Sequence, residues 1–414
     1  MATKPKAVYR TDVLPHGMNA GKEASVRTLL GAWRREAVME ARAQWRLVFE
    51  TGRTHKVRKS GALRVGGVNA AYVQMVRWQV VGQIDSYLSN RANDFRELVT
   101  RSSMDDGIRH QLYFINKCQA WYRPQALAMK DGATIAVETR RLARVLMRQL
   151  LKRHRQPNLR HASMIIDQRC IKLTPAARTK TFPLWARIST LDKGRPIDVP
   201  LRTYPHFEAR QGKRALSVQV MERDGEIVFG VMTDVAEAFA ASRAGYHATT
   251  EVLTLDLGLK TLFATRDGDL LGQRWMARLL EIDRRITKLA AFRQRHGLKT
   301  RSPRYQAYVE QLRGFVRSEL GRILNRLVAT HAPAEIVVEH IVFRNQALSK
   351  RLNRLLTLIG KKEIGRKLQD LTDRLGIVVT EVQAAYSASS ARPANMSTKG
   401  TAPRSTHFAA AGAD

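Results

Sequence analysis

Cysteine is nearly absent from this chain of 414 residues, which contains only Cys118 and Cys170. Two isolated thiols are too few for a disulfide framework or a four-ligand zinc site, so we expect both to be reduced and buried. Apolar runs are short as well: none approaches the roughly 20 residues that span a bilayer, and the first residues lack the apolar core of a signal peptide. We therefore expect a cytoplasmic protein without a membrane partner.

Acidic residues are scarce relative to basic ones. Lys and Arg number 71 against 36 Asp and Glu, which gives a formal net charge of +35. A small-molecule enzyme does not need such an excess, whereas a partner rich in phosphate explains it, because phosphate neutralisation releases counterions. Small ribosomal or histone-like proteins are also basic, but a chain of this length with 44% hydrophobic residues can bury two or three cores. The composition predicts a multidomain protein that binds a polyanion.

One acid, Asp256, closes a run of alternating apolar residues. The segment 251–268 reads EVLTLDLGLKTLFATRDG: a strand, Asp-Leu-Gly, a second strand and an Asp-Gly turn. Further along, the short apolar segment EIVVE (335–339) ends in another acid, Glu339. Two carboxylates on adjacent strands suit Mg²⁺, or Mn²⁺ in its place, because these ions take oxygen ligands and need few from the protein. Taken alone, Asp256 has the alternative of being a solvated turn aspartate.

The order of these segments resembles a known nuclease family. LDLGLKTLFATRDG (255–268), IVVEHI (336–341) and the basic stretch 348–387, which includes LGIVVTEV, are similar to the RuvC-type nuclease of transposon-encoded TnpB proteins and compact type V CRISPR effectors. The resemblance implies an RNase H-like α/β core in which Asp256 and Glu339 are the catalytic and metal-binding acids. It also implies a guide RNA and target double-stranded DNA as partners, in a prokaryotic cell and associated with the nucleoid.

The preceding part of the chain resembles that family only in architecture. One strand before residue 15, helices between 25 and 155, and six short strands from 163 to 232 predict a small β-barrel interrupted by helices. The fold class is α+β and multidomain: an oligonucleotide-binding-like wedge barrel with an inserted helical recognition lobe, followed by the nuclease. We expect a first wedge strand at 1–24, the helical lobe at 25–160 and the wedge barrel at 161–248. The nuclease core follows at 249–386, with a helical insertion at about 276–332, and a degenerate zinc ribbon at 387–414.

Cations beside aromatic residues, or in runs, are the candidate nucleic-acid contacts. Trp78 follows Arg77 and Tyr122 precedes Arg123; such rings stack on bases, although core packing explains each equally well. The cationic run 152–155 suits a helix C-terminus as well as a phosphate. The candidate contacts are Arg77, Trp78, Arg123, Lys152, Arg153, Arg155, Arg210, Lys213, Arg214, Lys350, Arg351 and Arg354.

The C-terminal residues depart from the family. Its members carry two Cys-x-x-Cys zinc knuckles and then a third metal-binding aspartate, whereas the corresponding places here hold Ala391, Ala394, Ala410 and Ala413. Alanine cannot ligate zinc, so we expect no zinc. Asp414 is the candidate for the third acid, and without it the site has two carboxylates.

Three functions remain open at this point. The leading hypothesis is an RNA-guided, Mg²⁺-dependent DNA endonuclease of the TnpB and type V kind. Its alternative is the same scaffold as a guided DNA binder that does not cut, for example a repressor. A third hypothesis is a basic RNA-binding or assembly protein without a guide, whose RNase H-like core is only structural. Copurified RNA of one defined sequence would favour the guided functions, and a heterogeneous mixture the third.

Overall fold

The structure is a computed structural model that describes residues 7–55, 67–129, 131–176, 181–223, 225–258, 261–339 and 361–382. The chain divides into two compact units, Met1–Ala238 and Phe239–Asp414, and each has its own hydrophobic core. Helices and sheets occur in both, so the chain is a mixed α/β protein, as predicted. The predicted domain ranges are finer than this division and stay a prediction.

Four long helices belong to the first unit: α1 (Ala20–Thr51), α2 (Ala70–Thr100), α3 (Asp106–Lys117) and α4 (Val137–Arg153). Asn19 caps α1, because its side chain accepts a hydrogen bond from the backbone N–H of Lys22, and Gly52 ends the helix in the left-handed conformation. Asn69 caps α2 in the same way. No helix within the described ranges is both long and apolar enough to cross a bilayer.

Seven strands of the first unit form two antiparallel sheets. One sheet has the order β1-β7-β6-β2 and the other β3-β4-β5, where the strands are β1 (Tyr9–Pro15), β2 (Met164–Ile166), β3 (Ile171–Pro175), β4 (Leu184–Ile188), β5 (Ile197–Leu201), β6 (Lys213–Arg223) and β7 (Glu226–Asp234). The N-terminal strand joins the later ones, as predicted, because β1 pairs with β7 along its whole length. A short helix, α5 (Pro205–Glu208), lies between β5 and β6.

The predicted closed barrel does not form among the described strands. On one side a single bridge, His16 to Leu201, links the two sheets. On the other side β2 is too short to cover β6: it pairs only with Val218 to Val220, and the register of β6 shifts between Arg214 and Val218. The first residues of β6 therefore have no ladder partner on that edge among the described strands. The expectation of a barrel is corrected to two open sheets with a gap between β3 and β6.

Gly212, just before β6, has a backbone conformation that favours glycine. Its φ is +126°, and a Cβ there would collide with the backbone carbonyl of Asp234 on β7. Gly225, in the turn between β6 and β7, also has a positive φ, +85°, but open space around it. We expect Gly225→Ala to lower the free energy of unfolding by about 1–2 kcal/mol and Gly212→Ala by clearly more. Urea unfolding measures both variants, and equal losses would contradict a cost from the collision.

A five-stranded sheet is the centre of the second unit. Its order is β10-β9-β8-β11-β12, with β8 (Thr250–Asp256), β9 (Phe263–Thr265), β10 (Leu270–Leu271), β11 (Pro333–Glu339) and β12 (Val378–Val382). β11 runs parallel to both β8 and β12, whereas β9 is antiparallel to β8 and β10. The helix α6 (Ala236–Ala244) spans the division between the two units.

Three helices of the second unit share a core with this sheet. They are α7 (Trp275–Arg295), α8 (Pro303–His331) and α9 (Lys361–Leu375). Leu253 of β8 and Ile336 of β11 belong to the same buried cluster as Leu279, Leu320 and other apolar residues of these helices. The first two helices lie, in chain order, between the two strands that end in an acid.

Candidate nucleic-acid interface and carboxylate pair

Asp256 and Glu339 lie at the carboxyl ends of neighbouring parallel strands. The last registered pair between β8 and β11 is Leu255 with Val338, so Asp256 and Glu339 are the next residues along their strands. Neighbouring strands are about 4.8 Å apart, and paired residues point to the same face of a sheet. The fold therefore brings together two acids that are far apart in the sequence.

Both acids point away from the core of α7, α8 and α9. The residue before each of them, Leu255 or Val338, is buried in that core, and side chains alternate between the faces of a strand. On the opposite face, Val252 is 45% exposed. Asp256 is exposed and Glu339 is half-buried. Solvent can therefore reach the carboxylate pair.

The glycine of Asp-Leu-Gly has a structural role in the turn after β8. A Cβ on Gly258 would lie 2.7 Å from the backbone oxygen of Thr261, so a larger residue would push the two segments apart. This close approach leads the chain into β9, where Ala264 pairs with Asp256. Gly258 thus helps to fix the strand end that carries Asp256.

The carboxylate pair fits a hard divalent cation. Mg²⁺ is often held by one or two carboxylates and keeps several waters, which suits two acids on an accessible face. Within the described ranges, no group of three His, Cys, Asp or Glu side chains could hold a metal. Asp414 and the four alanines of the degenerate zinc ribbon lie outside those ranges. The expectations about Mg²⁺, Mn²⁺ and zinc therefore stay predictions.

Three of the predicted nucleic-acid contacts meet in the first unit. Trp78 from α2 and Lys213 and Arg214 from β6 line one cavity of about 550 Å³. Tyr9 and Arg169 also line it, and neither is among the predicted contacts. Tyr9 is 54% exposed and Trp78 is 47% exposed, so two aromatic rings are open to solvent beside three cations, and two acids, Asp167 and Asp234, line the same cavity. We name this cavity the Trp78 groove.

Arg169 is held over the ring of Trp78. Its guanidinium carbon lies 5.6 Å from the ring centroid, which is within cation–π distance. The guanidinium donates hydrogen bonds to Asp167 at 2.6 Å and to Gln74 at 2.5 Å. The bond from Arg169 holds the pKa of Asp167 below its usual range, and the same bond raises the pKa of Arg169. A cation and an aromatic ring are therefore positioned side by side in the protein itself.

A second cavity, of about 650 Å³, adjoins the Trp78 groove at the gap between β3 and β6. Arg214 and Leu216 line both cavities. Leu216 is 64% exposed, and the guanidinium of Arg214 lies 3.9 Å from the ring centroid of Phe207. Burial lowers the pKa of Arg214, but arginine stays charged at neutral pH. The open edge of β6 thus extends the Trp78 groove with a wall that contains both an apolar residue, Leu216, and a cation, Arg214.

Two other predicted contacts form ion pairs inside the protein. Arg210 donates to both carboxylate oxygens of Asp12, at 2.5 and 3.0 Å, and Asp12 is only 3% exposed. Arg77 lies 3.5 Å from Glu40, and both side chains are largely buried. Because these guanidinium groups neutralise buried acids, Arg77 and Arg210 are not counted among the residues that contact nucleic acid.

The remaining predicted contacts do not line the Trp78 groove. Lys152 and Arg153 lie in the last turn of α4, Arg155 follows that helix, and Arg123 lies in the loop between α3 and α4. Lys350, Arg351 and Arg354 lie outside the described residues. Of the residues that the sequence did not indicate, Tyr9 begins an alternating strand, which is a weak signal. Arg169 lies in a turn, and only the fold brings it to Trp78.

Solved structures of CRISPR effectors are distantly similar to this chain. A Cas12f1–sgRNA–target DNA complex is 10% identical, with 91% of this chain and 85% of that chain covered and a TM-score of 0.24. A CRISPR-Cas12f ternary complex is 12% identical, with coverage of 90% and 89% and a TM-score of 0.24. A Cas12i–crRNA–dsDNA complex is 10% identical, with coverage of 73% and 51% and a TM-score of 0.30. No protein-family model and no curated protein matches the chain.

Proposed function

We propose that this chain is a nucleic-acid-binding protein that uses a guide RNA to bind double-stranded DNA. The Trp78 groove carries the proposal, because exposed aromatic rings beside fixed cations are what unpaired bases and phosphates require. The net charge of +35 supports it, since a groove in so basic a chain attracts polyanions over a long range.

The guided mode of binding is supported by the sequence resemblance to TnpB proteins and compact type V effectors. In such proteins, base pairing with the guide supplies sequence recognition, while the protein reads heteroduplex shape and a short flanking motif. RNA and DNA are also named in the solved complexes described above, but those likenesses are too distant to transfer partners. The support comes from this chain's own motifs, charge and groove.

A second proposed function is Mg²⁺-dependent DNA cleavage, and the carboxylate pair favours it. Asp256 ends the central strand of the five-stranded sheet and Glu339 ends its parallel neighbour, which agrees with the RNase H-like core that the resemblance implies. A magnesium ion held there would polarise a phosphate and activate water. The residues of this chain would hold the ion and leave one side of it open to solvent.

Sequencing of the RNA that copurifies with the full chain tests the guided function. We expect one dominant RNA of defined sequence, because a guide must be bound specifically and retained. A heterogeneous mixture of cellular RNA would instead favour the unguided, basic RNA-binding protein and would contradict the proposal.

Replacement of Trp78 tests whether the groove is the binding surface. We expect Trp78→Ala to weaken binding of that RNA about tenfold or more, because stacking of one base on an aromatic ring contributes roughly 1–3 kcal/mol. Fluorescence anisotropy titration measures the dissociation constant. Phe292→Ala is the matched control, since Phe292 is a similarly exposed aromatic residue, 52% exposed, on α7 and outside the groove. Equal affinities of the two variants would argue against the groove.

A further inference from the structure

Another cavity, of about 400 Å³, lies on the helical part of the first unit. It is formed by the end of α1, the loop between α3 and α4, and α4 itself, and it shares no residue with the Trp78 groove. We name it the Tyr122 cavity, and its lining residues are Phe49, Tyr122, Arg144, Arg148, Leu151, Lys152 and Gln156.

The walls of the Tyr122 cavity are fixed by backbone contacts. Gly52 ends α1 at a φ of +80°, and a Cβ there would lie 3.1 Å from the backbone nitrogen of Arg123. This glycine therefore lets the loop that carries Tyr122 approach the end of α1. From the other side, Arg140 of α4 donates hydrogen bonds to the carbonyls of Arg123 and Pro124, at 3.0 and 2.8 Å. The three segments are thus tied together around the cavity.

One wall of the cavity is aromatic. Phe49 is 45% exposed, although it is a large apolar residue. Its ring meets that of Tyr122 edge-on, with 5.0 Å between the centroids, and stacks with that of Trp45 at 5.8 Å. These neighbours hold the ring in place while part of it stays open. An exposed, fixed phenyl ring suits a flat ligand.

The other wall is cationic. Arg144, Arg148 and Lys152 follow each other at intervals of four residues, so they lie along one face of α4. All three are exposed, and no acidic residue in the described part of the chain forms an ion pair with them. Their charges therefore stay available to an anion.

The hydroxyl of Tyr122 lacks a hydrogen-bond partner among the described residues, although the side chain is only 5% exposed. A buried hydroxyl without a partner costs free energy, so it selects for a ligand that can accept its hydrogen bond. Burial raises the pKa of this phenol, and the charges of Arg148 and Arg144 oppose that rise. Tyr122 and these two arginines line the same cavity.

We propose that the Tyr122 cavity binds one unpaired nucleotide of a nucleic-acid strand. Its base lies against Phe49 and Leu151, its phosphate contacts Arg144 and Arg148, and the Tyr122 hydroxyl donates to it. A nucleotide combines a flat apolar face with an anion and hydrogen-bond acceptors, and a cavity of this volume is within the range of small-ligand sites. A paired base is stacked and cannot enter, so the site distinguishes a bulge from a continuous duplex. The inference rests on the proposed function only in that the partner is a nucleic acid.

Two blunt-ended RNA duplexes test the site, one continuous and one with a single-nucleotide bulge, so that the bulge is the only unpaired nucleotide. Titration of the full chain, followed by fluorescence anisotropy, gives a dissociation constant for each duplex. We expect the bulged duplex to bind about tenfold more tightly, and Phe49→Ala to remove this preference, because stacking on the ring is lost. Tyr122→Phe, which removes only the hydroxyl, should reduce the preference. Val145→Ala is the control, since Val145 is 49% exposed on α4 but does not line the cavity.

Each result has a distinct meaning. Equal affinities of the unmodified chain for the two duplexes overturn the nucleotide site while leaving the proposed function intact. Failure to bind either RNA overturns the proposed function as well. Binding of free AMP more tightly than the bulged duplex overturns the assignment to a nucleotide within a strand. Thermal unfolding of every variant shows whether a lost preference reflects unfolding instead, and Tyr122→Phe keeps the ring and so preserves the packing.

Discussion

The affinity of this chain for RNA should fall by about three decades or more when the salt concentration rises from about 50 to about 200 mM. The reason is that a chain with a net charge of +35 releases many counterions when its cations contact phosphates. Lys213 and Arg214 of the Trp78 groove, together with Arg144, Arg148 and Lys152 of the Tyr122 cavity, are the cations available for such contacts, because Arg169 is paired with Asp167. Titrations at a series of salt concentrations measure the slope of log affinity against log salt.

Single substitutions show how much of the slope of log affinity against log salt comes from one cation. Lys213→Gln in the Trp78 groove should reduce the magnitude of this slope by about one, because one phosphate contact is lost. Arg101→Gln is the matched control, since Arg101 is an exposed arginine at the end of α2 that forms an ion pair with Glu97 and lies in neither cavity. A flat salt series would exclude extended phosphate contact and would leave the positive charge without a role in binding.

Asp256→Asn should reduce DNA cleavage with Mg²⁺ below detection and leave the affinity for nucleic acid nearly unchanged. The substitution replaces an anionic ligand by a neutral amide of the same shape, so the pair of acids with Glu339 no longer neutralises a divalent ion. The phosphates, in contrast, are bound by cations in other parts of the chain. Cleavage of a matched target and titration of the same nucleic acid measure the two effects separately.

The control for this prediction is Asp267→Asn. Asp267 is exposed in the turn that follows β9, so its replacement removes the same charge from the same hairpin but not from the strand end. Calorimetric titration with Mg²⁺ provides a readout that does not depend on cutting. Cleavage by Asp256→Asn at the unmodified rate, or unchanged Mg²⁺ binding, would show that the carboxylate pair is not the metal site.

Much of the fold follows from local sequence patterns. The six strands from β2 to β7 and a helical region between 25 and 155 could be predicted, because alternating and helical periodicity are properties of short segments. The start of α3 within that region could not, because Asp105-Asp106-Gly107 is typical of a turn, although Asp105 caps the helix. Barrel closure was predicted wrongly, because it depends on how far β2 covers β6, and that is a contact between distant segments.

The carboxylate pair was easier to predict from the sequence than the cations of the Trp78 groove, because an apolar run shows where a strand ends. An acid at the end of an apolar strand indicated Asp256 and Glu339 only together with the order of the segments around them, because Asp256 taken alone could be a solvated turn aspartate. The structure places both acids at adjacent strand ends. A cation in a basic sequence gives no such signal. Arg77 and Arg210 could not be separated from Lys213 by sequence, because the buried acids that pair with them, Glu40 and Asp12, are identified only by the fold.

The pairing of β1 with β7 has a consequence for biosynthesis. The two strands are separated by more than two hundred residues, so the N-terminal strand has no partner until β7 has left the ribosome. At ordinary elongation rates this delay is roughly ten to forty seconds. During it, α1 to α4 are synthesised before the sheet residues that share their core. The apolar faces of these helices therefore stay uncovered until the later strands have been made.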